Sequence, residues 1–383
     1  MFLPRLQETS PELIDYALYL HRRGQLLPDT FVIDIGIIEE NAAGILAAAK
    51  EKGISLYYML KQIGRNPLIA HRLDDMGYSG AVAVDFKETL GYLENHIRLG
   101  HVGNLVQIPS GLVSTVVAAK PRIITVFSPE KAGEINEAAR ALNMVQDIQL
   151  RVRAADGPCY PGQMAGFTPE ELPGVVSAIE ALPHVRLSGV CAFPAFLCDV
   201  EGKAAKPTEN VEAVRQAAGY LRSRGHQIAQ VNLSSAICTS TIPLAAEMGA
   251  TVAEPGHGLT GTTPLHKNPG QRERVGYLYL TEVSHNVDGR ANCYGGGRYP
   301  RGHLCRALCG SSADALTWVG ASAVNADNID YHFELHSTRS VGEAVIMCYR
   351  AQAFVSRSNV AVVDARRRQL LGIYDAYGVK KVR

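Results

Sequence analysis

Eight short β-rich runs, each followed by a helical pattern, constrain this chain more than any other feature. They cover residues 55–60, 80–84, 104–108, 122–126, 149–152, 186–190, 227–232 and 250–253. Parallel strands need long crossover connections, usually helices, and eight such units in one stretch describe a (β/α)8 barrel. Helix starts are marked locally. Ser128-Pro-Glu-Lys offers a capping serine, a proline at the first helical position and an early acid, and Thr168-Pro-Glu-Glu repeats the device. A helix over 11–24 and a lead-in strand over 31–34 come first. After about residue 269, apolar runs such as Val275-Gly-Tyr-Leu-Tyr-Leu and Val341-Gly-Glu-Ala-Val-Ile-Met alternate with glycine and polar turns. That pattern predicts a C-terminal antiparallel β-domain. The expected division is a barrel with its N-terminal helix over 1–268 and the β-domain over 269–383.

Composition excludes rather than identifies. With 46% hydrophobic and 20% charged residues among 383, the chain can build substantial cores as a globular protein. A net charge of +1, spread without long blocks, gives no reason to expect nucleic acid or an acidic membrane as partner. No basic leader or membrane-length apolar run is present, so the expected location is cytoplasmic. Eight scattered cysteines read as reduced thiols. Cys305 and Cys309 have the spacing of one helical face but lack a second pair, and His332, Glu334 and His336 share a strand face that reads as a polar surface.

In such a barrel the chemistry lies at the C-terminal strand ends. Lys61 closes the first apolar run, where its amine, partly desolvated and with a depressed pKa, can form a Schiff base with an aldehyde such as pyridoxal phosphate. Taken alone it also reads as a solvated lysine at a helix start. Ser234-Ser235 follows the seventh run, and Glu254-Pro-Gly256-His257-Gly follows the eighth. Loops after strands seven and eight commonly make a phosphate site from small residues, hydroxyls and backbone N–H groups. A Schiff-base lysine and a phosphate cup are the two ends of one cofactor.

These residues resemble those of the fold-type III pyridoxal-phosphate enzymes, which include alanine racemase and the ornithine and diaminopimelate decarboxylases. Leu60-Lys61-Gln-Ile-Gly-Arg65 is similar to the family's first-strand segment, and Gly80-Ala-Val-Ala-Val-Asp-Phe-Lys-Glu-Thr89 to its second strand and helix. Pro255-Gly-His-Gly-Leu-Thr-Gly-Thr-Thr-Pro264 resembles the proline-glycine stretch of alanine racemases. The resemblance implies a Schiff base on Lys61, with Arg65 beside the phosphate. It also implies phosphate contacts from Ser235, with Ser234 adjoining, and from the backbone of Gly256 and His257. Where alanine racemases carry an arginine before that proline, this chain carries Glu254, as the decarboxylases do. A carboxylate there favours a protonated pyridine ring, the stronger electron sink.

Other positions depart from alanine racemase. Phe193 stands near where racemases have a histidine, either stacking on the ring or filling the barrel top. Gln163 replaces an arginine as a neutral donor. Arg151 on the fifth run and Arg153 just past it are each candidates to pair with a substrate carboxylate or to sit in a structural ion pair. Racemisation needs a second acid/base opposite the lysine, supplied in alanine racemases by a tyrosine of the partner subunit's β-domain. Within Cys293-Tyr294-Gly-Gly-Gly-Arg298-Tyr299 the candidates are Tyr294 and Cys293, with Tyr299 and Arg298 as rivals, and shared sites imply a homodimer. The related metal-dependent lyases use a histidine and an aspartate or cysteine two residues later. The comparable stretch here is Tyr349-Arg350-Ala-Gln352, so no catalytic metal is expected. The implied activity is a pyridoxal-phosphate-dependent amino-acid racemase, whose partner is a small-molecule amino-acid substrate of a kind the residues do not disclose. A lyase or decarboxylase, or a non-catalytic binder of the cofactor, stands as the alternative.

Overall fold

The structure is a computed structural model that describes residues 1–323, 327 and 329–381. Eight parallel strands form one sheet: β1 (Ser55–Leu56), β2 (Ala81–Ala83), β3 (Leu99–Val102), β4 (Ile123–Val126), β5 (Gln146–Arg151), β6 (Val185–Ala192), β7 (Gln230–Leu233) and β8 (Val252–Ala253). Their order is that of the chain, with β8 beside β1. Tyr58 closes the ring by bridging in parallel to Ala81, its N–H donating to Gly80 O and its carbonyl accepting from Val82 N. The result is a (β/α)8 barrel, as the sequence predicts. Ser128 caps its helix as expected, its Oγ accepting from Lys131 N at 3.2 Å.

Seven of the eight runs coincide with strands, and one does not. The third strand is Leu99–Val102, buried along its whole length, whereas residues 104–108 form the loop that follows it. The apolar side chains of Leu105, Val106 and Ile108 outweigh Gly100 and His101 in a hydropathy reading. In the barrel those two are required, because Gly100 lies where a Cβ would sit 2.4 Å from the Tyr57 ring and His101 points inward.

The β-rich part is a nine-stranded sheet. Six antiparallel strands form a closed ring in the order Tyr277–Val287, Arg290–Tyr294, His332–Leu335, Thr317–Ala323, Arg306–Cys309, Ala344–Met347 and back. The lead-in strand Thr30–Asp34 is also in this sheet, antiparallel to Tyr277–Val287 and parallel to Asn359–Asp364. Residues 1–44 and 60–69 therefore form one compact unit with residues 257–383, while 45–59 and 70–256 form the barrel unit. A linear cut near 268 does not follow this grouping, because the lead-in strand finds its partners more than 240 residues later. Two helices, Leu3–Thr9 and Pro11–Arg22, bury Leu6, Leu13 and Leu18 in one cluster with Leu278, Leu280, Ile346 and Val363. Cys305 and Cys309 lie on no helix; Cys309 ends a strand.

Candidate functional site

In the barrel unit the inward positions of successive strands carry polar groups, which burial obliges to pair. Glu254, one residue past β8, is the hub. Its Oε1 accepts from His101 Nδ1 at 2.5 Å and Asn232 Nδ2 at 2.6 Å, and its Oε2 accepts from Asn104 Nδ2 at 3.2 Å. The side chains of His101 and Glu254 are 0% and 1% exposed. Burial pushes the Glu254 carboxyl up, but the charge on His101 and hydrogen bonds from His101, Asn232 and Ser234 prevail, holding it below the usual carboxylate range. On its far side, His101 Nε2 meets the Thr125 hydroxyl and, at 2.9 Å, the Gln149 amide. Arg151 faces the interior, donating to Asn104 O at 2.9 Å and Phe193 O at 2.8 Å, while Arg153 bonds the carbonyls of Ala154 and Ala155.

Ser234 joins this network through Asn232 Oδ1 at 2.5 Å. Ser235 does something else. Its hydroxyl donates to Phe196 O at 2.6 Å and accepts from Phe196 N at 2.8 Å, so its one proton is committed to the loop after β6. The direct phosphate contact expected of that hydroxyl is a donation it does not have free in this arrangement. Ser235 and Ala236 both have positive φ, +133° and +52°, a costly backbone for non-glycine residues that concentrates where loops hold ligands. Phe193 and Gln163 come together around Tyr160. The Tyr160 and Phe193 rings lie 5.7 Å apart, Gln163 N donates to Tyr160 O, and Gln163 Oε1 is buried without a partner.

In the other unit, Lys61 opens a short 3-10 turn, Lys61–Ile63, ended by Gly64 at φ +72°. Glycine is needed there, since a Cβ would lie 2.7 Å from Val360 Cγ2. Lys61 Nζ lies 5.8 Å from the centre of the Phe354 ring, and the Arg65 guanidinium lies 5.1 Å from the same ring and 5.5 Å from that of Tyr377. The His257 ring meets Thr262 Oγ1 through Nδ1 at 3.1 Å, and Arg350 Nε and Gln352 Nε2 through Nε2 at 3.4 and 3.3 Å. Burial, then the charges of Arg350, Lys61 and His266, hold His257 well below the usual imidazole value, so it is neutral. Gly256, beside it, is half-buried.

The two expected second bases separate sharply. Alternation along Arg290–Tyr294 turns Cys293 inward and Tyr294 outward. Cys293 is 0% exposed, its Sγ bonded to Phe333 O, and burial pushes its thiol up to about 12. It is corrected from a candidate base to a core residue, since a wholly buried side chain cannot reach another subunit. Tyr294 is 41% exposed. Arg298 and Tyr299 line a cavity of about 160 Å³ with His303, Phe333 and Tyr349. Among the described residues, no three His, Cys, Asp or Glu side chains are grouped to hold a metal, and no helix is long and apolar enough to cross a membrane.

Sequence reasoning missed His101, Asn232, Thr125 and Gln149. Their signal was polar residues at alternate positions of otherwise apolar strands, which a hydropathy reading treats as interruptions.

The family described as alanine racemase, N-terminal domain, matches residues 33–264, and one described as YhfX-like, C-terminal domain, matches 278–370. Uncharacterized protein YhfX of Escherichia coli (strain K12) is 40% identical over 382 residues, covering 99% of both chains. Among solved structures, the alanine racemase of Clostridium difficile 630 in complex with cycloserine superposes with a TM-score of 0.67 at 15% identity, covering 91% of this chain and 99% of its own. D-threonine aldolase from Filomicrobium marinum gives 0.67 at 13%, covering 92% and 96%. D-threo-3-hydroxyaspartate dehydratase from Delftia sp. HT23 gives 0.65 at 15%, covering 89% and 96%. At these identities the structural likeness speaks for the fold.

Proposed function

The chain belongs to the family of alanine racemase N-terminal domains, and from that premise we propose that it is a pyridoxal-phosphate-dependent amino-acid racemase. The carrying observation is Glu254, a buried carboxylate held ionised at the C-terminal end of β8. Its Oε1 takes the close bonds from His101 and Asn232, while Oε2 takes the longer one from Asn104 and is the oxygen that a ring N–H would use. The orphaned Gln163 Oε1 and the strained Ser235-Ala236 backbone also suit a ligand-holding barrel mouth.

Bound here, pyridoxal phosphate would supply an electron sink for the pair left behind when an α-proton departs. The protein's share is to hold and to move protons. Lys61 would carry the cofactor and take the α-proton through Nζ on one face. Gly256 and His257 would hold the phosphate through backbone N–H groups, with Arg65 and Ser234 near by, and the Ser235 hydroxyl would brace the neighbouring loop. Glu254 would keep the ring nitrogen protonated, itself kept ionised by His101 and Asn232. Tyr294 of a partner subunit in a homodimer would return a proton on the opposite face.

Lyase or decarboxylase chemistry is the second reading, favoured by the same residue, because an acidic ring partner serves any reaction that leaves an electron pair at the α-carbon. An amino-acid panel in deuterated water separates the two. Deuterium entering the α-position with inversion is the racemase result, and released carbon dioxide or aldehyde is the lyase result. No exchange with any amino acid would refute both.

A further inference from the structure

Within the unit that holds Lys61, the segment from Tyr349 to Gln352 is held rigidly. Arg350 N donates to Gly302 O at 3.2 Å, Ala351 N to Tyr277 Oη at 3.0 Å, and Tyr349 Oη to Gly297 O at 2.8 Å. Arg350 and Gln352 both turn toward His257. Guanidinium has five N–H donors in a planar fork, and Arg350 spends only its Nε–H on the His257 ring. Among the described residues Arg350 has no carboxylate partner, and a neutral His257 does not balance its charge. Gln352 is 9% exposed, and its Oε1 is buried with no hydrogen-bond partner. A buried amide with one unmet atom is costly unless something meets it. Lys61 lies close enough for its charge to act on the same His257 ring.

A fixed, unpaired guanidinium beside an unmet amide oxygen describes recognition of an oxyanion that carries a neighbouring O–H or N–H. We propose that Arg350 and Gln352 form the specificity subsite of this enzyme. The guanidinium fork takes a carboxylate or phosphate on the substrate's side chain, and Gln352 Oε1 accepts a hydrogen from the substrate. The substrate class is then amino acids with a second anionic group, not alanine. This deepens the reading that Lys61 carries the cofactor, and rests on it.

The test is calorimetric binding to the full-length protein, as purified and again after saturation with pyridoxal phosphate. The probes are both enantiomers of aspartate, glutamate and O-phosphoserine, with asparagine and alanine as neutral controls. We expect at least one acidic amino acid to bind about tenfold or more tightly than asparagine and alanine, the gain of one charge-assisted hydrogen bond. Aspartate and glutamate against O-phosphoserine tells carboxylate from phosphate. Arg350→Gln should erase the acidic-over-neutral ratio, Arg350→Lys should keep part of it, and Gln352→Glu should lower it by repulsion. Because each value is a ratio between two ligands on one sample, cofactor content and folded fraction cancel. If Arg350→Gln does not fold, the ordering of wild type, Arg350→Lys and Gln352→Glu decides. Equal binding of neutral and acidic amino acids, or a ratio that survives these substitutions, overturns the subsite. Failure of the cofactor reading shows separately, as a wild-type protein that borohydride does not label at Lys61.

Discussion

Replacing His101 by leucine removes the ring that faces the Glu254 carboxylate inside the barrel. Both side chains of the pair are essentially sealed from water, 0% and 1% exposed, with Nδ1 and Oε1 2.5 Å apart. Breaking a buried pair from one side leaves the Glu254 charge without its closest donor, at a cost of about 3–5 kcal/mol. Asn232 and Asn104 remain as donors to Glu254, so the lower half of that range is expected. In a Glu254→Gln background the same substitution should cost about 2 kcal/mol less, since no charge is stranded. The pH dependence has a fixed sign. The folded carboxyl lies below its reference value of 4.5, so the stabilisation is complete above that pH and is lost as pH falls through the folded value. With His101 gone, burial of Glu254 dominates and raises its carboxyl, so the penalty should shrink as the solution is taken from pH 7 toward 4. Urea unfolding of the four proteins of this cycle at several pH values measures both effects. A cost under about 1 kcal/mol that ignores pH and the residue at 254 would refute the reasoning.

Asp29 provides a second pH test. Burial raises its carboxyl from 3.8 to about 6 despite hydrogen bonds from Ser358 and Tyr279. The folded state thus binds the extra proton, and stability falls as pH rises from 4 to 6; Asp29→Asn should recover up to about 3 kcal/mol at pH 8 and almost nothing at pH 4, read from melts at both. Gly64→Ala adds a side chain at φ +72° against Val360 and should cost about 1–3 kcal/mol by thermal unfolding, with less reducible label recovered on Lys61. Tyr294→Phe should leave α-deuterium exchange running on one enantiomer while suppressing inversion by roughly two orders of magnitude or more, measured by chiral chromatography. Cys293→Ser, by contrast, should change stability and not the ratio of inversion to exchange.

How much of this was legible in the sequence depends on how local the cause is. The Ser128 cap follows from four consecutive residues, and Lys61 and Glu254 were visible because each sits where an apolar run ends. The third strand was misplaced because its Gly100 and His101 serve contacts with Tyr57 and Glu254, which only the closed barrel creates. The lead-in strand was found, but its partners at Tyr277–Val287 and Asn359–Asp364 are set by long-range packing. The Ser235 hydroxyl carried the right chemistry for an anion, yet a loop 39 residues earlier takes its proton. Tyr294 and Cys293 are adjacent in sequence, and only the side of the strand each occupies tells them apart.

The proposed role of Lys61 as the carrier of pyridoxal phosphate is open to a direct chemical test. Purified protein saturated with the cofactor, reduced with borohydride and digested, should yield one phosphopyridoxyl peptide, bearing the label on Lys61, and Lys61→Ala should yield none while still folding. Label on another lysine, or none at saturation in the wild type, would contradict the account.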